Sequence, residues 1–339
     1  MKISQIYVYP IKSLRGTTLT SSALTKHGLP FDRRFMLLKI LENGDLKNMH
    51  VPHFPEMCLF QTSIELQDDE PTGSLLVTFD PPKGEGEAKT SSIPLSPDCS
   101  HLELMDVTMH RSPCKAYNMG EKINSWFSNC FGYEVILAYL GEHSRSVLMS
   151  TSGNKQSKNT SGSWLGSITS SIPYFGATKE DETITFADCA PYLVVSETSL
   201  KDVSKRLPEG EDMDMSKFRP NIVVSGAESE WEEDYWAELS FGDEQANIQM
   251  MHNCARCVSI NVDYATGKPG KGEAGTILKK LMKDRRVDQG AKYSPVFGRY
   301  GFLSKGDIGK MIAVGDDVKV LRKNGERTVF DWPGLGSGN

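Results

Sequence analysis

The sequence contains no run of about 18 or more apolar residues, so no hydrophobic membrane-spanning helix can be read from it. Its first residues, MKISQIYVYPIKSLRG, have neither a long apolar core nor a small-residue cleavage site, which leaves no visible secretory signal. Positive charge is not in excess. The 38 basic residues stand against 44 acidic ones for a net charge of −6, which argues against general affinity for nucleic acid or anionic membrane but leaves room for a local basic pocket. Cysteine is sparse and odd in number: seven, at 58, 99, 114, 130, 189, 254 and 257 of 339 residues, suit reduced thiols better than a disulfide framework. No G-x-S-x-G supports Ser-His-Asp catalysis. Neither a second C-x-x-C nor an H-x-x-x-H completes a zinc site. No regular βαβα alternation and no internal repeat are visible. A soluble, cytoplasmic protein is the expectation, with the mitochondrial outer membrane as the alternative if an N-terminal anchor has been removed.

What the sequence does have is short alternating or β-branched runs. KISQIYVYP, DRRFMLLKI, CLFQTSIELQ, SLLVTFDPP and LELMDVTMH are separated by turn formers such as ENGD, the spacing of an antiparallel, barrel-like sheet. One helix is predicted from Asn118, with Ile123, Trp126, Phe127 and Cys130 at helical spacing and Gly132 as its stop. After the strand EVILAYL comes a segment dense in Ser, Thr, Gly and Asn that buries little apolar surface and reads as a linker. The second half resumes with PYLVVSETSLKDVSKRL, a strand leading into a helix marked by Ser196 and Ser199. Strands follow at FRPNIVVSG, AELSFG, ANIQMMHN and VSINVD, then a helix near GTILKKLMKDRR and two closing strands. The fold class is α+β and mostly β, divided into residues 1–142, a Ser-rich linker at 143–178, a second domain at 179–325 and a tail at 326–339.

The chemistry concentrates in a few places. Cys254 and Cys257 form one C-x-x-C. The commonest fate of such a pair is burial as small hydrophobes. Arg256 between them tilts the balance, because a guanidinium beside a thiol favours thiolate, the form that binds soft metals. A thioredoxin-type pair would sit at a helix N-terminus, whereas these residues are read as leading into a strand, VSINVD. YPIKSLRG presents Lys12 and Ser13 at a strand end, where a loop can offer an ammonium and a hydroxyl to an oxyanion. In FDRRF, read as strand, Arg33 and Arg34 point to opposite faces, while Arg219 and Asn221 of FRPNIVV share one. Each arginine alone is more commonly a surface ion pair. The G-x-G-x-x-G of GKGEAG lacks a βαβ frame and is a polar loop entering a helix. His252 is read as packed or surface.

Taken in order, YPIKSLRG, DRRFMLL, FADCAPYLVVSETSL, FRPNIVVSG, CARCVSINVDYATG and YSPVFGRYGFL resemble the MOSC-domain proteins, with an N-terminal MOSC β-barrel domain ahead of the MOSC domain proper. Within that family the layout is similar to the mitochondrial amidoxime reducing components. The Ser-rich insertion and the tail RTVFDWPGLGSGN fall outside the resemblance. It implies a molybdenum cofactor, a pterin dithiolene with a phosphate, held between the two domains, with the Cys257 thiolate ligating the metal. Arg256 and the backbone at Ala255, which replaces a frequent serine, stand beside it. Lys12, Ser13 and Arg33 match cofactor contacts of the first domain, Arg219 and Asn221 those of the second, and Asp188 falls in the matching FADCAP segment. Cys254 is assigned a structural role. The implied activity is two-electron reduction of N-hydroxylated compounds, with electrons from cytochrome b5 and its NADH-dependent reductase, since no iron–sulfur or flavin segment is recognisable after residue 322. The alternatives are a molybdenum cofactor carrier or sulfuration accessory without turnover, and a zinc-binding structural barrel.

Overall fold

The computed structural model describes residues 1–66, 73–151 and 182–336. The protein is mostly strand with few helices, as the alternating runs predict. Its largest sheet has eight strands in the order Thr17–Leu19, Lys2–Val8, Ile222–Ser225, Tyr192–Ser196, Val296–Leu303, Ala246–Ala255, Trp236–Phe241 and Val318–Lys323. The first strand of the chain therefore belongs to the second half's sheet, pairing antiparallel with Ile222–Ser225. The sheet curls until the N-terminal strand meets the last one, where Ile3 N donates to Asp316 O at 2.9 Å and Val318 N to Met1 O at 2.8 Å. Alternate residues turn inward, so Ile6, Val194, Ile222, Leu239, Ile248 and Trp236 fill the barrel's interior.

The first half contributes a five-stranded sheet, Leu46–Asn48, Phe35–Ile40, Val135–Tyr139, Ser112–Asn118 and Glu103–Met109, and a three-stranded one, Phe60–Leu66, Gly73–Phe79 and Lys89–Pro94. The predicted helix runs Glu121–Phe131 and buries Phe127 in the core between these sheets. It ends at Gly132, whose φ of 77° is the left-handed conformation that glycine adopts without strain. Of the segment read as a linker, residues 143–151 are packed: Arg145–Ser146 pairs with Thr183–Ile184, and Arg145 is fully buried. The rest of it, from residue 152 on, lies outside the described residues.

Three local expectations are corrected. The strand at the C-x-x-C is Ala246–Ala255, which carries Cys254 and ends before Cys257, and VSIN is a 3-10 turn, Val258–Asn261, whose N-cap is Cys257. Arg33 is not in a strand, which begins only at Phe35. Arg219 does not share a strand face with Asn221, because it caps the 3-10 turn Met215–Phe218. Both arginines have positive φ, 48° and 55°, a backbone state that alternation along a strand cannot describe. Among the described residues no three His, Cys, Asp or Glu side chains converge as a zinc site requires.

Ser196 caps the second predicted helix, Glu197–Ser204, by accepting from Thr198 N at 3.2 Å. Inside that helix Ser199 donates to Glu233 Oε2 at 2.7 Å, while the buried Oε1 has no partner. Burial therefore raises the Glu233 pKa to about 7, and neighbouring Asp234 adds to the rise. A carboxyl whose folded pKa lies above its ordinary value holds an extra proton in the folded state, so its contribution to stability falls as pH rises between about 4.5 and 7. We expect Glu233→Gln to remove that fall, leaving the variant more stable than wild type by up to about 3 kcal/mol at pH 8 and little changed at pH 4.5. Thermal melts across that range measure it.

Candidate functional site

The strand Ala246–Ala255 lies inside the large sheet between Val296–Leu303 and Trp236–Phe241, so its end is held from both sides. Its register against Val296–Leu303 shifts twice, between Met250 and His252 and between Asn253 and Ala255. Such bulges re-aim a strand near its end. Arg299, fully buried, clamps the first by donating to Met250 O at 3.2 Å and Met251 O at 3.3 Å, and reaches Asn253 Oδ1 at 2.6 Å. The strand releases at Arg256, whose N donates to Pro295 O at 2.8 Å, and Cys257 emerges as an exposed thiol with Ser259 Oγ 3.2 Å from its sulfur.

Cys254 is the opposite case. It is 3% exposed, donates to Tyr300 Oη at 3.1 Å and accepts from Arg256 Nη1 at 2.8 Å. Burial raises its pKa even though Arg256 pulls the other way. The guanidinium read from sequence as activating the pair thus bonds the structural cysteine.

Three segments converge on the thiol from other parts of the chain. Lys12 N donates to Phe35 O at 2.8 Å, Arg33 N to Tyr9 O at 2.8 Å and Phe186 N to Arg33 O at 2.9 Å, lacing residues 9–13, 32–35 and 186–188 together. Arg145 reinforces the last of these by donating to Thr185 O at 3.1 Å, to Ala187 O and to Asp188 O at 3.2 Å, and ties it to Met109 O at 3.1 Å. Lys12 pairs with Asp188 and donates to Phe186 O at 3.1 Å. Burial lowers the Lys12 pKa, partly offset by Asp188. Against burial, which raises it, Lys12 and His110 hold the Asp188 carboxyl well below the usual carboxylate range. Arg33 Nη1 donates to Asp32 Oδ2 at 2.6 Å.

Arg219 and Arg256 lack such compensation. Among the described residues neither has a carboxylate partner; Arg219 Nη1 donates to Leu14 O at 2.6 Å and Arg256 Nη2 to Phe218 O at 2.7 Å. Arg219 Nη2 and Arg256 Nε are buried without any partner. Burial, then the like charge of Arg33, pushes the Arg219 pKa down. The Arg33 and Arg219 guanidinium carbons lie 4.4 and 4.3 Å from the ring centre of buried Tyr9. Unsatisfied buried donors of one sign are costly, so this arrangement is built for an anion.

The cavity has two parts that share Arg33, Arg219, Arg256 and Cys257 in their walls. An inner chamber of about 90 Å³ is lined by Arg33, Asp188, Arg219, Asn221, Arg256 and Cys257, with others. An outer one of about 320 Å³ shares Cys257 and the cations, and adds Lys12 and Ser13. All nine residues singled out from the sequence line one chamber or both, Ala255 among them. Asn221 is also structural, its Oδ1 accepting from Leu193 N at 3.2 Å. Strain gathers here too, since Ser13, Arg33, His110 and Arg219 line the cavity and all have positive φ. Sequence reasoning missed His50, His110, Arg145, Tyr300 and Phe330, none of which stands in a local pattern that marks a site. His252, 4% exposed with Nε2 2.8 Å from Ser150 O, is packed as predicted.

Residues 181–319 match the MOSC domain and residues 1–134 the MOSC N-terminal beta barrel domain. The chain is a MOSC-domain protein with both of these units. It is 28% identical over 321 residues to mitochondrial amidoxime reducing component 2 of Rattus norvegicus, covering 93% of this chain and 82% of that protein. Against mitochondrial amidoxime-reducing component 1 of Mus musculus the identity is 27% over 325 residues, with 94% and 82% covered. Molybdenum cofactor sulfurase of Homo sapiens is 24% identical over 96% of this chain, which spans only 33% of that protein. No helix among the described residues is long and apolar enough to cross a membrane.

Proposed function

We propose that this protein is a molybdenum-cofactor-dependent reductase of N-hydroxylated compounds such as amidoximes and hydroxylamines. The observation that carries the reading is the meeting of an exposed thiol, Cys257, with two arginines that each keep one buried donor without a partner. A phosphate-bearing pterin with a soft metal at its sulfur end fits that donor set. Arg219, Arg256, Arg33 and Lys12 would hold the anionic part, and the Cys257 sulfur would ligate the metal. When bound, the cofactor supplies the two-electron chemistry that breaks the N–O bond.

The chain's own residues do the rest. The cationic cradle fixes the cofactor between segments from both halves, and Asp188 holds Lys12 in place. His110 Nε2, 3.3 Å from Asp188 Oδ1 at the cavity wall, is placed to carry a proton to the departing oxygen. Two electrons and two protons convert the N-hydroxyl compound to its reduced nitrogen product and water, the electrons arriving from a donor protein such as cytochrome b5 with its NADH-dependent reductase.

The likeness to molybdenum cofactor sulfurase over 96% of the chain favours a second reading, a cofactor carrier or sulfuration accessory. Elemental analysis of the purified protein, followed by benzamidoxime reduction with a chemical reductant, separates the two. The reductase reading expects molybdenum near one atom per chain and benzamidine as product. Molybdenum with no turnover supports the carrier, and zinc in its place defeats both.

A further inference from the structure

The chain continues past the last strand, Val318–Lys323, and contributes to the lining of the outer chamber. Trp332 anchors this tail. It is 1% exposed, and its Nε1 donates to His110 O at 2.9 Å. On either side of it Phe330 N donates to Asp288 Oδ1 at 3.0 Å, and Asp331 Oδ1 accepts from Ser150 N at 3.0 Å. A Cβ added at Gly290 would lie 1.7 Å from Phe330 O, so the tail backbone rests directly on that loop. The segment is thus bonded to the first half through the turn at His110 and to the second through Asp288. Held in this way, it presents Phe330 and Leu335 to the cavity.

These two side chains line only the outer chamber, not the inner one that carries Asn221. Val51, Pro52 and Met109 line the same chamber. His50 adds no charge at neutral pH, because burial, His53 and Lys12 push its pKa down to about 4. The chamber's lining therefore combines the cations and Cys257 with a set of apolar and neutral side chains. A substrate whose N–O group faces the thiol finds Phe330, Leu335 and these apolar side chains in the same chamber for its remaining atoms.

We propose that Phe330 and Leu335 are specificity-determining residues, selecting N-hydroxylated compounds with an uncharged aromatic or aliphatic body over those with none. This rests on the reductase reading, and the test keeps the two apart. Leu335 is only partly buried, so Leu335→Asp can be made without dismantling the core; Phe330→Ala is the second variant. Benzamidoxime binding is measured by calorimetry on the unreduced holoprotein, and steady-state reduction is measured for benzamidoxime and for hydroxylamine, which has no apolar body. We expect Leu335→Asp to weaken benzamidoxime binding and raise its KM about tenfold, with hydroxylamine parameters and melting temperature unchanged. Phe330→Ala should act in the same direction. Equal changes for the two compounds, or no change for either, would overturn the assignment. If wild type binds benzamidoxime but reduces neither compound, the reductase reading falls, and the calorimetric comparison alone decides for or against the wall.

Discussion

Replacing Cys257 by Ala is expected to abolish molybdenum retention and benzamidoxime reduction while leaving the melting temperature of the cofactor-free protein unchanged. The asymmetry follows from position. The thiol is exposed, its hydrogen-bond partner among the described residues is Ser259 Oγ, and its backbone is extended with φ −117°, so a methyl group replaces it without opening a cavity. Surface changes of that kind fall within about 0.5 kcal/mol of neutral. Cys254→Ala should behave in reverse. It strips a partner from both Arg256 Nη1 and Tyr300 Oη in a buried setting, a loss of about 1–3 kcal/mol, yet the fraction that folds keeps the thiol facing the cavity. Metal content by mass spectrometry, melting curves and turnover on both variants give a crossed pattern. Retention of both metal and activity by Cys257→Ala would end the proposal.

Much of the secondary structure is written locally. Alternation marks the strands, Gly132 stops one helix and Ser196 starts another, because each depends on neighbours within a turn or two. The joining of Lys2–Val8 to Ile222–Ser225 is not written there, since partners more than 200 residues apart leave no trace in either segment's own pattern. The site is divided in the same way. Lys12, Arg33, Arg219 and Arg256 are each, on local grounds, ordinary surface cations, and only the order of the motifs around them marked them as a group. Their backbone states were beyond reach, because positive φ in non-glycine residues is held by tertiary bonds such as Arg33 N to Tyr9 O and Arg219 Nη1 to Leu14 O. The tail was set aside for a related reason. RTVFDWPGLGSGN has no periodicity, and the importance of Trp332 and Phe330 comes from what lies opposite them, His110 and Asp288.

Arg219→Met is expected to move two measurements in opposite directions. In the cofactor-free protein Arg219 stands beside Arg33, with which it shares the Tyr9 ring, and its buried Nη2 has no acceptor. Burial and like charge both oppose its ionised form, as its lowered pKa records. Methionine keeps the long unbranched stem and removes the charge, so the apo variant should melt higher, by about 1 kcal/mol of stability after allowing for partial exposure. The variant gives up the bond to Leu14 O, which limits the gain. In the presence of cofactor the sign reverses, because each charge-assisted bond to a phosphate is worth about 1.5–3 kcal/mol, or roughly ten- to a hundredfold in affinity. Retained molybdenum should fall accordingly, and the rise in melting temperature on loading should shrink from both ends. An apo variant less stable than wild type, with metal content intact, would mean that Arg219 serves the fold and not the anion, and the case for an anion built into this cavity would lose the residue that argues it most directly.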